Sequence, residues 1–165
     1  MSEAPPAQPD GAAAQKKGPT RSARRRAREL ALQGLYQWLL TGESTAGIAA
    51  HVREQDGYAR ADSEHLEALL YGCIEEAKAL DAQLGRHVDR KTSELSPIEH
   101  GVLMIGAYEL AHCIEIPYRV VINEAVELAK SYGGTDGHKY VNGVLDKVAG
   151  ELRAIEVQAR RAAAG

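Results

Sequence analysis

The chain has 165 residues, 44% apolar and 26% charged, which suits one globular domain and excludes a fibre or a disordered polymer. No apolar run reaches the roughly 18 residues a membrane span needs. No secretory signal is visible, and the two cysteines, Cys73 and Cys113, fit no metal or redox spacing and are expected to stay reduced in a cytoplasm.

Residues 1–21 hold prolines at 5, 6, 9 and 19 and no periodic apolar face, so they read as a flexible leader. The formal net charge of −3 hides a sharp asymmetry: residues 16–28 carry seven bases and no acid, and residues 29–165 carry 21 acids against 13 bases. Charge alone leaves two readings open, a polyanion-binding arm or a solubilising basic tail. From about Ser22 the pattern turns helical: Leu30, Gly34, Leu35, Trp38 and Leu39 recur at three- and four-residue steps up to a stop at Gly42. At 100° per residue, Arg21, Arg24, Arg25 and Arg28 share one side of that helix, with Tyr36 three turns along the same stripe as Arg25. The second half of the basic segment is therefore expected as a row of guanidinium groups fixed to a packed helix, with Arg26 turned about 100° away from Arg25.

A weaker helix is expected over roughly 45–56, before Gly57. Leu66, Leu69, Leu70, Cys73, Ile74, Ala77, Leu80 and Leu84 then form one continuous stripe from about Ser63 to His87. Ser96-Pro97-Ile98-Glu99 is a capping box with proline at the first helical position. Val121, Ile122, Ala125, Val126 and Ala129 mark a further helix closed by Gly133-Gly134, and Asp136 is the expected cap of a last one running to Ile155. The chain reads as all-α, six or seven helices without strands.

Catalytic chemistry has no signature here. Six single histidines, no P-loop and no nucleophile elbow leave one Glu-x-x-His step, Glu109 and His112, where a di-iron bundle needs two. Those two residues are expected at the surface or at a helix end. No enzyme activity, cofactor or metal is expected.

Three stretches carry a resemblance: Arg24-Arg25-Arg26-Ala27-Arg28-Glu29 leading to Leu32-Gln33-Gly34-Leu35-Tyr36, Ile116-Pro117-Tyr118-Arg119 through Ile122-Asn123-Glu124-Ala125, and Gly137-His138-Lys139-Tyr140-Val141-Asn142-Gly143-Val144-Leu145-Asp146-Lys147. In that order and spacing, over about residues 22–153, they resemble the NusB family of bacterial transcription antitermination proteins. The resemblance implies a compact bundle of two packed helical subdomains, here 22–91 and 92–156, with a flexible tail over 157–165. It also implies a factor that binds boxA RNA together with the ribosomal protein NusE, joins the RNA polymerase antitermination complex and promotes processive transcription of ribosomal RNA operons. Homodimerisation stays open, since some members dimerise and others do not.

Carried onto this sequence, the resemblance assigns RNA binding to Arg24, Arg25, Arg26, Arg28, Tyr132, Asp136, Lys139, Tyr140 and Asn142, and the NusE contact to Tyr36 and Glu99. The chemistry agrees: guanidinium forks pair with phosphate, aromatic rings stack on unpaired bases, and helix N-termini favour anions. The RNA is expected to be single-stranded, because sequence-specific recognition uses unpaired bases. Where the family usually has Phe, this chain has Tyr140, which reads either as a stacking ring or as a core residue beside Val141 and Val144. Glu99 reads either as a partner contact or as the capping-box acid. Two other functions fit an all-helical chain: a protein-interaction module, and the helical domain that precedes the catalytic domain of some ribosomal RNA cytosine methyltransferases. No strand-alternating cofactor domain follows, which weighs against the second.

Overall fold

The computed structural model describes residues 20–134 and 136–165; residues 1–19, most of the expected leader, lie outside the described residues. Eight α-helices are described: α1 (Arg21–Thr41), α2 (Thr45–Arg53), α3 (Ser63–Glu75), α4 (Ala77–Gly85), α5 (Pro97–His112), α6 (Tyr118–Tyr132), α7 (Gly137–Leu152) and α8 (Ala154–Ala164). Short 3₁₀ turns occupy Tyr58–Arg60 and Thr92–Glu94, and the described residues contain no strand.

Local chemistry sets most of the helix ends. The Thr20 hydroxyl accepts from the Ala23 N–H to start α1, and Gly42 ends it at φ 70°, a left-handed conformation where a side chain is strained. Ser44 and Asp62 cap α2 and α3 in the same manner. Ser96 accepts from the Glu99 N–H at 3.2 Å, with Pro97 in the first turn of α5. The Glu99 carboxylate faces Gly137 at the start of α7 rather than folding back on Ser96.

Helix α5 is the centre of the molecule. Its residues from Val102 to Ile105 are buried on every side, and α1, α3, α4, α6 and α7 all pack on it. Helix α1 lies across α2 and α3 as well, through a close approach at Gly34. A Cβ there would stand 2.7 Å from Leu70 Cδ1 and 3.2 Å from the γ-carbons of Ile48 and Val52. Leu30, Leu35, Leu69, Leu84, Leu103 and Leu145 form a continuous aliphatic interior, as a chain without phenylalanine requires.

Three expectations about helix extent are corrected. The single stripe from Ser63 to His87 is two helices, broken at Glu76, whose carboxylate meets His112 of α5 at 2.7 Å. The last helix also breaks, at Arg153. Residues 157–164, expected as a flexible tail, are helical, and Val157 is buried in the core.

Arg153 explains the second break. Its buried guanidinium donates from Nε to the Leu110 carbonyl (2.8 Å), from Nη1 to Ile116 O (3.0 Å), and from Nη2 to Glu109 O (3.2 Å) and Cys113 O (3.0 Å). The Glu109 and Cys113 carbonyls already accept from the Cys113 and Ile116 N–H groups, both at 2.9 Å, so Arg153 gives them a second donor. It serves the Leu110 and Ile116 carbonyls as well, a cation at the negative end of the α5 dipole.

Candidate nucleic-acid interface

The arginine-rich first turns of α1 lie against α6 and the loop before α3. Five guanidinium groups stand there in very different states. Arg21 is open to solvent, 81% exposed, with Nε 3.6 Å from Glu124. Arg24 donates from Nε to Asp62 at 2.9 Å. Arg25 grips Glu124 with two hydrogen bonds, Nε to Oε1 at 3.0 Å and Nη2 to Oε2 at 2.9 Å. Arg26 turns toward Glu29 at 2.8 Å and packs over Gly57, away from its neighbours as helix geometry requires.

Arg28 departs from expectation. Its side chain is only 5% exposed, and its Nε–H spans both Glu109 oxygens at 2.9 and 3.2 Å. Its Nη1 stands 3.7 Å from Glu124. Glu109 also accepts from His65 Nε2 at 2.6 Å. Glu109, expected at the surface or at a helix end, is instead a buried acid, whereas His112 is exposed and pairs with Glu76. Arg28 is a structural cation that cannot reach a ligand without leaving an acid unpaired inside the protein.

Glu124 is where the row converges. Burial alone would raise its pKa, but the hydrogen bond from Arg25 and the charges of Arg28, Arg25 and Arg21 hold it below the ordinary carboxylate value of 4.5. The same pairing raises the Arg25 pKa. Asp62 follows the same pattern: burial pushes up, and the bonds from Arg24 and the His65 N–H hold it below 3.8. A cleft of about 550 Å³ opens beside Glu124, lined by Arg21, Arg24, Arg28, Ile116, Val120 and Asn123. A smaller one on the other side is lined by Arg25, Glu29, Glu127 and Ser131.

Tyr132 links this region to the start of α7. It is half open to solvent, and its hydroxyl pKa is raised by burial and by the Glu29 charge, with Arg26 opposing. Beyond it, Lys139 and Asn142 are exposed on the first turns of α7. The expected side-chain cap at Asp136 is corrected: its carboxylate makes no cap hydrogen bond and stands 3.6 Å from Lys139 instead. Tyr140 lies at the edge of the core. Its hydroxyl donates to Asp89 at 3.0 Å, and the Arg90 guanidinium lies over the ring at 4.9 Å.

Of the two residues assigned to the protein partner, Tyr36 is exposed at 39% on α1. Glu99 is partly buried, and a Cβ on Gly137 would stand 3.2 Å from its Oε2. Glu99 thus adjoins the α7 segment assigned to RNA.

Sequence reasoning missed Glu124, Glu109, His65 and Asp62 as partners of the arginines, and Asp89 and Arg90 as partners of Tyr140. One signal was present. Glu109 falls four residues after Ile105, and Glu124 falls three after Val121 and four before Leu128, so each sits on an inward-facing apolar stripe. A carboxylate in that position demands a cation.

The NusB family model matches residues 25–150. The chain belongs to the NusB family. It is 56% identical over 152 residues to the transcription antitermination protein NusB of Ralstonia nicotianae, covering 92% of this chain and 98% of that one. To the protein of the same name from Paraburkholderia phymatum it is 59% identical over 139 residues, 84% of this chain and 96% of the relative. Among solved structures, a NusB from T. maritima superposes with a TM-score of 0.69 at 31% identity, over 78% of this chain and 91% of that one. A complex of the antitermination factors NusB and NusE with double-stranded RNA superposes with a TM-score of 0.68 at 26% identity, over 78% of this chain and 97% of that one. The fold of this NusB-family chain is accordingly all-helical, and its role is that of a transcription antitermination factor and not an enzyme.

Proposed function

We propose that this protein binds boxA RNA jointly with NusE, within the RNA polymerase antitermination complex in the cytoplasm, and so promotes processive transcription of ribosomal RNA operons. The observation that supports the reading is a set of solvent-facing groups able to meet RNA: the Arg21 guanidinium, the half-open Arg25, the Tyr132 ring, and Lys139 and Asn142 on the first turns of α7. Phosphates find cations among these groups, and an unpaired base finds a ring at Tyr132. Arg24 and Arg26 contribute charge from the edges, while Arg28 supports the row from beneath. Tyr36 and Glu99 offer NusE a surface that meets the RNA path at Gly137, so one RNA and one protein can share the site.

The solved relative was seen with double-stranded RNA; single strands remain our proposal because the path offers ring faces. A titration of fluorescein-labelled boxA-type RNA tests it, at several salt concentrations and with single- and double-stranded probes. Three or four phosphate contacts give a log–log salt slope of about −2 to −3 for single strands. Saturable binding that strengthens when NusE is added supports the proposal. A flat titration at low salt, with and without NusE, leaves the interaction-module reading.

A further inference from the structure

We infer that Glu124 is a positioning residue for RNA: it holds the Arg25 guanidinium by one edge and thereby presents the opposite edge to a phosphate. The inference rests on the RNA-binding reading above and deepens it.

A guanidinium group has five N–H donors in one plane. Glu124 takes the edge formed by Nε–H and one Nη2–H, at 3.0 and 2.9 Å. The Nη1 donors and the second Nη2–H form the other edge, and Arg25 makes no other hydrogen bond among the described residues. Arginine pairs with phosphate through two parallel N–H···O bonds, so a phosphate can take that free edge without displacing the carboxylate.

The support behind Arg25 is rigid. Glu124 is 5% exposed, and Arg28 stands 3.7 Å from it. Arg28 is itself fixed by Glu109, which His65 holds from the other side. The sequence His65, Glu109, Arg28, Glu124, Arg25 alternates in chemical character from the interior to the surface, and each member restrains the next. An arginine gives up much rotamer freedom when it binds a ligand; Arg25 has given it up on folding. Arg21, Arg25 and Arg28 all lie within 3.7 Å of the one Glu124 carboxylate. These cations offset the charge of Glu124 itself, while Glu29 and Glu127 also act on Arg25, so the site works through the orientation of the guanidinium rather than through surplus charge.

The test exploits opposite signs. Glu124→Gln removes an acid from a polyanion-binding site, so Coulomb attraction alone predicts tighter binding. Positioning predicts weaker binding. Anisotropy titrations use the full chain and a fluorescein-labelled boxA-type RNA, with Glu124→Gln, Arg25→Ala and the double variant. We expect Glu124→Gln to weaken binding about three- to tenfold, since the ordering of an arginine must then be supplied on binding. In the Arg25→Ala background the same substitution should cause no loss, leaving affinity unchanged or slightly tighter through the removed charge. Tighter binding by Glu124→Gln, or an equal loss in both backgrounds, overturns the inference. Wild-type binding that Arg25→Ala leaves untouched overturns it too, whereas no wild-type binding defeats the RNA reading itself. Should Glu124→Gln fail to fold, Arg25→Lys carries the test. An ammonium lacks the two edges, so affinity should fall to that of Arg25→Ala; full affinity with Lys overturns the inference.

Discussion

The Arg153 guanidinium donates to Glu156 at 2.7 Å, and the same carboxylate accepts from the Tyr118 backbone N–H at 2.8 Å. One ion pair thus closes two helix ends, with its cation on the carbonyls of α5 and its anion at the start of α6. Pro117 precedes Tyr118 and has no side-chain cap to offer, so Glu156 supplies one from another helix.

Arg153→Ala should therefore destabilise the fold by about 3 kcal/mol, because the Leu110 and Ile116 carbonyls lose the guanidinium donor and those of Glu109 and Cys113 lose their second one. Urea unfolding followed by circular dichroism measures it. A loss under 1 kcal/mol would show that water replaces the guanidinium at little cost.

Arg25 and Arg28 are three residues apart and should behave as different kinds of residue. Arg28→Ala leaves Glu109 buried without its main cation and should cost about 3–5 kcal/mol of stability. Arg25→Ala removes two hydrogen bonds from the buried Glu124 but leaves Arg28 and Arg21 near it, so it should cost less, about 1–2 kcal/mol, and lower RNA affinity. Unfolding curves and RNA titrations on both variants separate the effects. Equal stability losses would contradict the difference in burial.

Acid should weaken the molecule through Glu124 and Asp62. Both carboxyls are held below their ordinary values of 4.5 and 3.8, so the unfolded chain binds their protons first. Their stabilisation is complete above pH 4.5 and is lost as pH falls through the lower folded values. The melting temperature should be insensitive to these groups from pH 5 upward and should fall below it. Glu124→Gln should shrink the acid limb, and an unchanged limb would assign it to other groups.

Tyr140→Phe and Tyr140→Ala should differ in kind. The first removes the hydroxyl that donates to Asp89 and keeps the ring under Arg90, so it should cost about 1 kcal/mol of stability and leave RNA affinity within twofold. The second removes the ring and, where a base stacks on it, should cost about 1–3 kcal/mol of binding. Equal RNA affinities for the two variants would make the ring a core residue only.

The all-helical class, the start at Ser96, the stop at Gly42 and the arginine face of the first helix were legible from spacing and cap chemistry, which act within four or five residues. So was the resemblance of three stretches to the NusB family. The tertiary structure alone decided the breaks at Glu76 and Arg153, because each follows from a partner on α5 more than thirty residues away. It also decided that Arg28 is interior while Arg21 is open. Helical periodicity places both on one side of α1; only the packing of α5 and α6 against that side, bringing Glu109 and Glu124, determines which guanidinium is enclosed. A side chain's direction is local physics, but its solvation depends on what the rest of the chain lays over it.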